Sequence, residues 1–438
     1  MYRHYRFQPP LGADGEPPNS FTDAMGREVS PQVVRQRVDD CHQHGMAAIA
    51  YGAVYGPEPE FILERPDWML YDAAGAPLHL IELFYITDLR PGSWREHILH
   101  EFETAITDIG FDGIHMDQYG FPKLAYDSKG ALVDPSVDFP SMIDEAAARV
   151  RRVKSSGGVI FNAVNDWPID TVAPSDQEAV YIEVWSPHDS YRDLVDLIRR
   201  ARDLSGKQTI LSAYLQPFHE GGAGAEWALR YITAVIAAAG GHHLVLGEGT
   251  AVLREPYYPD HGQLSTAGVR IARRYYDHTA AFTHYLHARD LRQVARNFTT
   301  GINTAFRLDG APATAVPAAG AVWLNVAQRP GQFVLNLVNL TGVTDDSWNV
   351  AQPAAPLLSG LSIVCEPFVR VARVTWASPD DAFTAGSVGE EPGSWAHAGV
   401  FATELEPRVG GDGAVTIELP PLSVWATVLL EVEPGETP

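Results

Sequence analysis

The chain has 438 residues, 45% of them apolar and 10% aromatic, enough for two or three domains at roughly 100–200 residues each. Charged residues make up only 20%, and no tract is compositionally degenerate, which excludes a disordered chain. Acids outnumber bases 55 to 32, and the net charge of −23 repels phosphate backbones and anionic lipid, so no nucleic acid and no membrane is expected as a partner, whereas a neutral substrate such as a sugar meets no such penalty.

The start, MYRHYRFQPPLG, lacks an apolar signal core, and no run of about 18 apolar residues follows, so the chain as written is expected in the cytosol. From about residue 30 to 290, short apolar runs alternate with amphipathic stretches, as in βα units feeding a parallel sheet. Strands are expected at Met46–Tyr51, Leu80–Ile86, Phe111–Asp117, Gly158–Val164, Ala179–Trp185, Gln208–Tyr214 and His242–Gly247. Most are apolar on both parities, as when both sheet faces are buried. Helices are expected at Pro31–His44 (Ser30 capping, Gly45 beyond the end), Ser93–Thr107, Pro140–Lys154, Ser190–Leu204, Ala225–Ala238 and Leu264–Leu286. Seven parallel strands with intervening helices predict an α/β fold, a (β/α)8 TIM barrel with its first strand largely missing at the N-terminus. An open doubly wound sheet is the alternative, but no Gly-rich phosphate turn follows the first strand.

Beyond about residue 295, helical periodicity gives way to alternating runs: Val322–Asn325, Gln332–Leu340, Ser362–Val374, Ala414–Leu419 and Val424–Val432. These predict a C-terminal antiparallel β-sandwich over residues 296–438, after a catalytic barrel over residues 1–295. Cys41 and Cys365 lie far apart outside any CxxC spacing. A disulfide framework or structural zinc is therefore no organising principle here.

Side chains at the C-terminal strand ends of a barrel converge on one open mouth. Two acids end buried strands: Asp117, closing GFDGIHMDQYG, and Glu183, in AVYIEVWSPHD. If Asp117 faces inward, alternation turns His115 and Gly113 inward too, with Ile114 and Met116 outward. If Glu183 faces inward, so does Tyr181. One strand separates the acids, so they can approach at roughly 5–6 Å, the range of a retaining glycosidase pair. Glu183, among Tyr181, Val184 and Trp185, suits the proton donor. Asp117, beside Gln118 and near His115, has more hydrogen-bonding support and suits the nucleophile. Taken singly, an Asp after a strand is also a common loop or helix cap; the joint pattern carries the reading.

GFDGIHMDQYG and YIEVWSPHD resemble the two catalytic segments of glycoside hydrolase family 66, which contains dextranases and cycloisomaltooligosaccharide glucanotransferases. MYRHYRFQPP with FTDAMGREVS, HGMAAIAYGAVYG, FNAVNDWP and HHLVLGEGTAVLREPYYPDH look like further segments of that family's barrel, in order over nearly all of residues 1–290. The resemblance implies an immunoglobulin-like N-terminal domain (not found here), a (β/α)8 barrel and a C-terminal β-sandwich. It also implies retaining cleavage of α-1,6-glucan, with Asp117 as nucleophile and Glu183 as general acid/base. It implies secretion, although the start carries no signal core. The glucanotransferases of the family carry a large carbohydrate-binding insertion late in the barrel, for which Tyr214 to His242 leaves no room, and this favours hydrolysis of dextran-like glucan over cyclisation.

Glucose needs aromatic platforms and polar partners for its hydroxyls. Tyr51, Tyr55, Trp185 and Tyr214 are the platform candidates, and Gln118, Asn162, Asn165, His243 and Glu248 the polar ones, each of which is also a common packing or salt-bridging residue. No cofactor and no metal is expected. Cys41, His42 and His44 crowd a helix end on different faces, DSKGALVD lacks a calcium loop's ligand spacing, and the triplets at Asn297 and Asn339 match glycosylation acceptors by chance. The rivals are a transglycosylase of the ring-forming type, an enzyme for another α-glycoside, and a non-catalytic glucan-binding protein.

Overall fold

The computed structural model describes residues 5–256, 261–294, 305–367, 369–380 and 402–433. It comprises two compact units, Met1–Glu183 with Asp203–Lys207, and Val184–Arg202 with Gln208–Pro438. No described helix is long and apolar enough to cross a membrane. The segment at residues 257–260 and the triplet at Asn297 lie outside the described residues.

In the first unit, helix α1 (Pro31–Gln43) starts where the Ser30 hydroxyl accepts the Val33 N–H, and Gly45 turns the chain out at φ +69°. Strand β1 (Ile49–Ala53) follows. Helix α2 (Ser93–Thr104) runs into a π-turn at Ala105–Ile109, and β2 (Gly113–Asp117) comes next. Helix α3 (Pro135–Val153) begins a turn before the expected Pro140, because Asp134 and Pro135 offer the cap-then-proline start earlier. It leads into β3 (Gly158–Asn162), and β4 (Ala179–Glu183) ends the unit's main segment.

These four strands are parallel in the order β1-β2-β3-β4. Their register puts Ala50, Ile114, Met116, Val159, Phe161, Val180 and Ile182, all buried, on one face. Tyr51, Ala53, His115, Asp117, Asn162, Tyr181 and Glu183 share the other. A Cβ on Gly113 would stand 2.3 Å from the Gly158 carbonyl oxygen, so β2 and β3 approach this closely only with glycine there.

The expected strand at Leu80–Ile86 is not a sheet strand. His79–Leu80 and Phe84–Tyr85 pair antiparallel around a turn at Ile81–Leu83. Ile81 sits at φ +39° and is 45% exposed, so the apolar run folds back on itself in a loop instead of being buried on two faces. With that strand lost, the parallel strands that remain form no closed barrel among the described residues. The architecture is an α/β sheet flanked by helices, followed by a C-terminal sheet region.

At the N-terminal edge of β2, Asp112 accepts the Ala48 N–H at 2.6 Å, faces His42 Nε2 at 2.8 Å and pairs with Lys154. Burial works to raise its pKa, but the lysine, the amide and the histidine outweigh that and hold it down at about 2. The folded-state value is depressed, so its contribution is complete above about pH 4 and is lost as pH falls towards 2. Asp112→Asn should therefore lose about 2 kcal/mol in urea unfolding at pH 6, a gap that narrows below about pH 4 and closes only below about pH 2. A gap that stays constant with pH contradicts this account.

In the second unit, α4 (Tyr191–Ser205; its last residues belong to the first unit) precedes β5 (Gln208–Ser212). Helix α5 (Ala223–Ala238) follows, then β6 (Gly241–His243), parallel to β5, and α6 (Thr266–Ala281). The expected Leu264–Leu286 helix breaks at Phe282, leaving a separate turn at Thr283–Leu286.

Two further sheets complete the unit. One contains β8 (Val322–Arg329), β9 (Gln332–Asn339), β11 (Val371–Ala377), β12 (Ala402–Leu405) and β14 (Trp425–Val432), in the order β8-β9-β14-β11-β12. The other contains β7 (Phe306–Asp309), β10 (Ser362–Cys365) and β13 (Val415–Glu418), in the order β7-β10-β13. The expected single run Ser362–Val374 is thus two strands, one in each sheet. Pairing is antiparallel except where Ala313–Thr314 lies parallel to β8. Phe306, Leu335, Ile363, Trp376, Ile417 and Val428 interlock in one core between the sheets.

Along most of β8, β9 and β14 the outer face of the larger sheet is buried as well, because helices cover it. Asn325 donates to the Ala238 carbonyl at the end of α5 (2.6 Å), and His278 of α6 meets Thr427 at 3.2 Å. Arg230 of α5, 7% exposed, pairs with Asp380 at 2.8 Å and stacks on Trp227. Asp380 also accepts from Tyr275 and from the Val424 and Trp425 N–H groups. Burial works against the Arg230 charge, but Tyr275 and Asp380 hold its pKa above the usual value. Both cysteines are free thiols, Cys365 in the core. Asn339 is fully buried and bonded to the Pro356 and Ser423 carbonyls, so it is a core residue.

Candidate active site

Asp117 and Glu183 end β2 and β4 on the same face, with β3 between them. Asn162, the last residue of β3, joins them. Its Nδ2 donates to Asp117 Oδ1 at 2.7 Å and to Glu183 Oε2 at 3.1 Å, and its Oδ1 accepts the Glu183 N–H at 3.2 Å. The two bonds from one nitrogen limit those carboxyl oxygens to at most about 5.8 Å apart. Asp117 receives a second donor, the Tyr51 hydroxyl from β1, at 2.6 Å. Both acids are half-buried, and Asn162 is 2% exposed.

The titratable groups beside the pair are held neutral. Half of the Tyr51 side chain is open to solvent, but its hydroxyl lies against Asp117. Burial of that end, then the Asp117 charge, pushes the phenol well above its usual range. Burial and then Asp117 also raise Tyr5. His115, two residues before Asp117, stacks on Tyr181 with ring centroids 4.4 Å apart; burial lowers its pKa although Asp117 opposes this. Sequence reasoning turns His115 inward as hydrogen-bonding support for Asp117, a part that Tyr51 and Asn162 take instead, and misses Tyr5, whose ring fits against Gly56 so tightly that a Cβ there would stand 1.9 Å from it. The parity with Asp117 signals the first. Nothing local signals the second, because the contact spans some fifty residues.

Two carboxyls on one face, bridged by an amide and set among neutral phenols, are equipped for acid–base and nucleophilic chemistry on a neutral substrate. The family model described as glycosyl hydrolase family 66 matches residues 1–399. The chain belongs to that family. A cycloisomaltooligosaccharide glucanotransferase of Niallia circulans is 27% identical over 231 residues, which cover 49% of this chain and 24% of that protein. The chain thus matches only about a quarter of that relative's length. The crystal structure of a Paenibacillus sp. cycloisomaltooligosaccharide glucanotransferase complexed with cycloisomaltoheptaose is similar over 98% of this chain and 79% of that one, with a TM-score of 0.87 and 19% identity. A maltogenic alpha-amylase of Thermotoga neapolitana shares the fold more distantly, with a TM-score of 0.52, 11% identity and coverage of 92% of this chain and 82% of that one.

The remaining candidate contacts of this family 66 chain fall into two groups. Some are spent on packing. Gln118 is 2% exposed, donates to the Trp167 carbonyl and accepts the Gly120 N–H, bracing the loop after β2. Tyr55 is 4% exposed, its ring edge-on to Tyr119 at 5.8 Å. In the second unit, His243 is 7% exposed, with Thr233 on one ring nitrogen and the Ala213 carbonyl on the other, and burial lowers its pKa to about 4. The others remain accessible. Asn165 follows β3 in the left-handed region, at φ +53°, as does Asp166 at +67°. Trp185 and Tyr214 have ring centroids 5.8 Å apart, and Trp185 is 37% exposed. Glu248 is exposed. His42 pairs with Asp112, and His44 bonds the Asp40 carbonyl. Asp127 in DSKGALVD accepts the Lys129 and Ala131 N–H groups as a turn residue. Among the described residues, no group of three or more His, Cys, Asp or Glu is placed to hold a metal ion.

Proposed function

We propose that this chain cleaves α-1,6-linked glucan by a retaining double displacement. Ionised Asp117 attacks the anomeric carbon while Glu183 protonates the departing oxygen, leaving a covalent glucosyl-enzyme. Glu183 then takes the proton of the acceptor that displaces Asp117. The observation that carries the reading is the Asn162 bridge, which keeps facing carboxyl oxygens within about 5.8 Å. Retaining pairs stand about 5–5.5 Å apart, whereas inverting pairs need about 6.5–9.5 Å to admit a water. Asp117 accepts from both Tyr51 and Asn162, and these two donors support assigning it the nucleophile's role.

In this reading residues 1–295 form the catalytic barrel, residues 296–438 the appended sandwich, and Tyr51, Asn165, Trp185, Tyr214 and Glu248 remain the candidate glucan contacts. The acceptor is a sugar hydroxyl, giving rings or longer isomaltooligosaccharides, as the names of the relatives support. The second reading, hydrolysis, rests on the stretch between β5 and β6, which a short turn at Gln216–His219 and α5 fill.

Incubation with dextran and with isomaltooligosaccharides separates these outcomes. Cyclic or lengthened products mark transfer, and short linear ones with new reducing ends mark hydrolysis. The first-formed anomer, read by NMR, is expected to be α. A β anomer overturns the retaining mechanism, and binding without turnover overturns the enzyme reading.

A further inference from the structure

We infer that Asn162 is a positioning residue shared by both carboxyls, and that it sets the pH range in which the nucleophile is ionised while its partner still holds a proton. The inference rests on the reading above and deepens it. Sequence reasoning placed Asn162 among the sugar contacts. Its geometry gives it other work. A primary amide nitrogen carries two hydrogens, and here the nitrogen faces Asp117 Oδ1 and Glu183 Oε2. Its oxygen is held by the Glu183 N–H, which also fixes the backbone from which that acid projects. At 2% exposure, no amide hydrogen remains for a substrate hydroxyl.

The position follows from register. Met116 of β2 lies opposite Phe161 of β3, and Asn162 lies opposite Tyr181 of β4. Asn162 is thus level with Asp117 and one pleat below Glu183, so its side chain reaches both acids. A glutamine in its place would overshoot, and a serine would supply only one donor. An amide does not titrate, so its donation is constant over pH and favours the ionised form of each acid. The other titratable groups facing the pair are Tyr51 of β1, Tyr5 of the N-terminal segment, His115 of β2 and Tyr181 of β4, with Glu58 and Arg27 acting on Tyr5. Tyr51 and Tyr5 are shifted up and His115 down, each towards its neutral form. Titration of the carboxyl groups themselves assigns the limbs of the pH–rate profile to the two acids.

The test measures kcat, KM and the pH dependence of kcat/KM for wild type, Asn162→Ala and the near-isosteric Asn162→Asp. It also follows the titration of 13C-labelled carboxyl groups without substrate. Loss of the shared donor lets both acids keep their protons to higher pH. In Asn162→Ala both limbs should move up by about half to one pH unit, with kcat down about a hundredfold and KM changed less than about threefold. In Asn162→Asp, which adds a charge, the limbs should move further. Two carboxyl resonances should shift their titration in step. A tenfold rise in KM with fixed limbs would mean a substrate contact, and a lower melting temperature with fixed limbs a structural residue; either overturns the inference. Unchanged carboxyl titration overturns it even in a variant without turnover. Absence of wild-type turnover on α-1,6-glucan, in contrast, strikes the proposed function.

Discussion

Asp117→Asn should lose at least about a thousandfold in kcat on isomaltooligosaccharides while remaining folded. The substitution keeps shape and volume, so the aliphatic face of β2, with Ile114 and Met116 buried, is untouched. What changes is the group proposed as the nucleophile. An amide oxygen does not form the glucosyl ester, and the site loses the negative charge that stabilises the oxocarbenium-like transition state. A modest stability cost is also expected, since Asp117 now accepts from both Tyr51 and Asn162 and an asparagine has one acceptor for two donors. Rates beside thermal melts separate the two effects. A variant within tenfold of wild type removes Asp117 from the chemistry.

Glu183→Ala gives the second large effect, one that depends on the leaving group. Against dextran the first step lacks its proton donor, and a loss of about a thousandfold or more is expected. Against an α-glucosyl fluoride the departing group needs no proton, the covalent intermediate forms, and its release lacks a general base. Azide needs no base. It should restore turnover by forming a C–N bond as the Asp117 ester bond breaks, and the product should be the α-azide. Asp117→Ala in azide should give the β-azide, because the ion then enters from the vacated side. Exchange of the two anomers between the variants reverses the roles of the acids.

These expectations rest on features that local sequence carries unevenly. Strand alternation suffices to place Asp117 on the face of His115 and Glu183 on that of Tyr181, with the aliphatic Ile114, Met116, Val180 and Ile182 on the other. The common face of the two acids was therefore legible. The work of each polar neighbour was not. Asn162, Gln118 and His243 are all polar residues near strand ends and read alike. They differ in what reaches them across the fold: two acids, the Trp167 carbonyl, and Thr233 of α5. The apolar run Leu80–Ile86 misled because its composition matches a buried strand, while its outcome was decided by the exposed turn at Ile81. The strands Gln332–Asn339, Val415–Glu418 and Trp425–Val432 lie within a residue of the alternating runs, whereas Phe306–Asp309 and Ala402–Leu405 carry too short an alternation to stand out. The burial of both faces of β9 was not foreseen, since the covering helices α5 and α6 precede it by many residues.

The Arg230–Asp380 pair bears on how the chain can be divided. Arg230 sits on a helix between two parallel strands, and its partner lies on the sandwich side, bonded to the backbone of Val424 and Trp425. A fragment ending before the larger sheet would lose Asp380 and lay bare buried residues of α6, Tyr275 and His278 among them. Genetic dissection of this protein into a shorter N-terminal fragment is thus disfavoured, and a chimera with a borrowed C-terminal half must inherit the acid that answers this arginine.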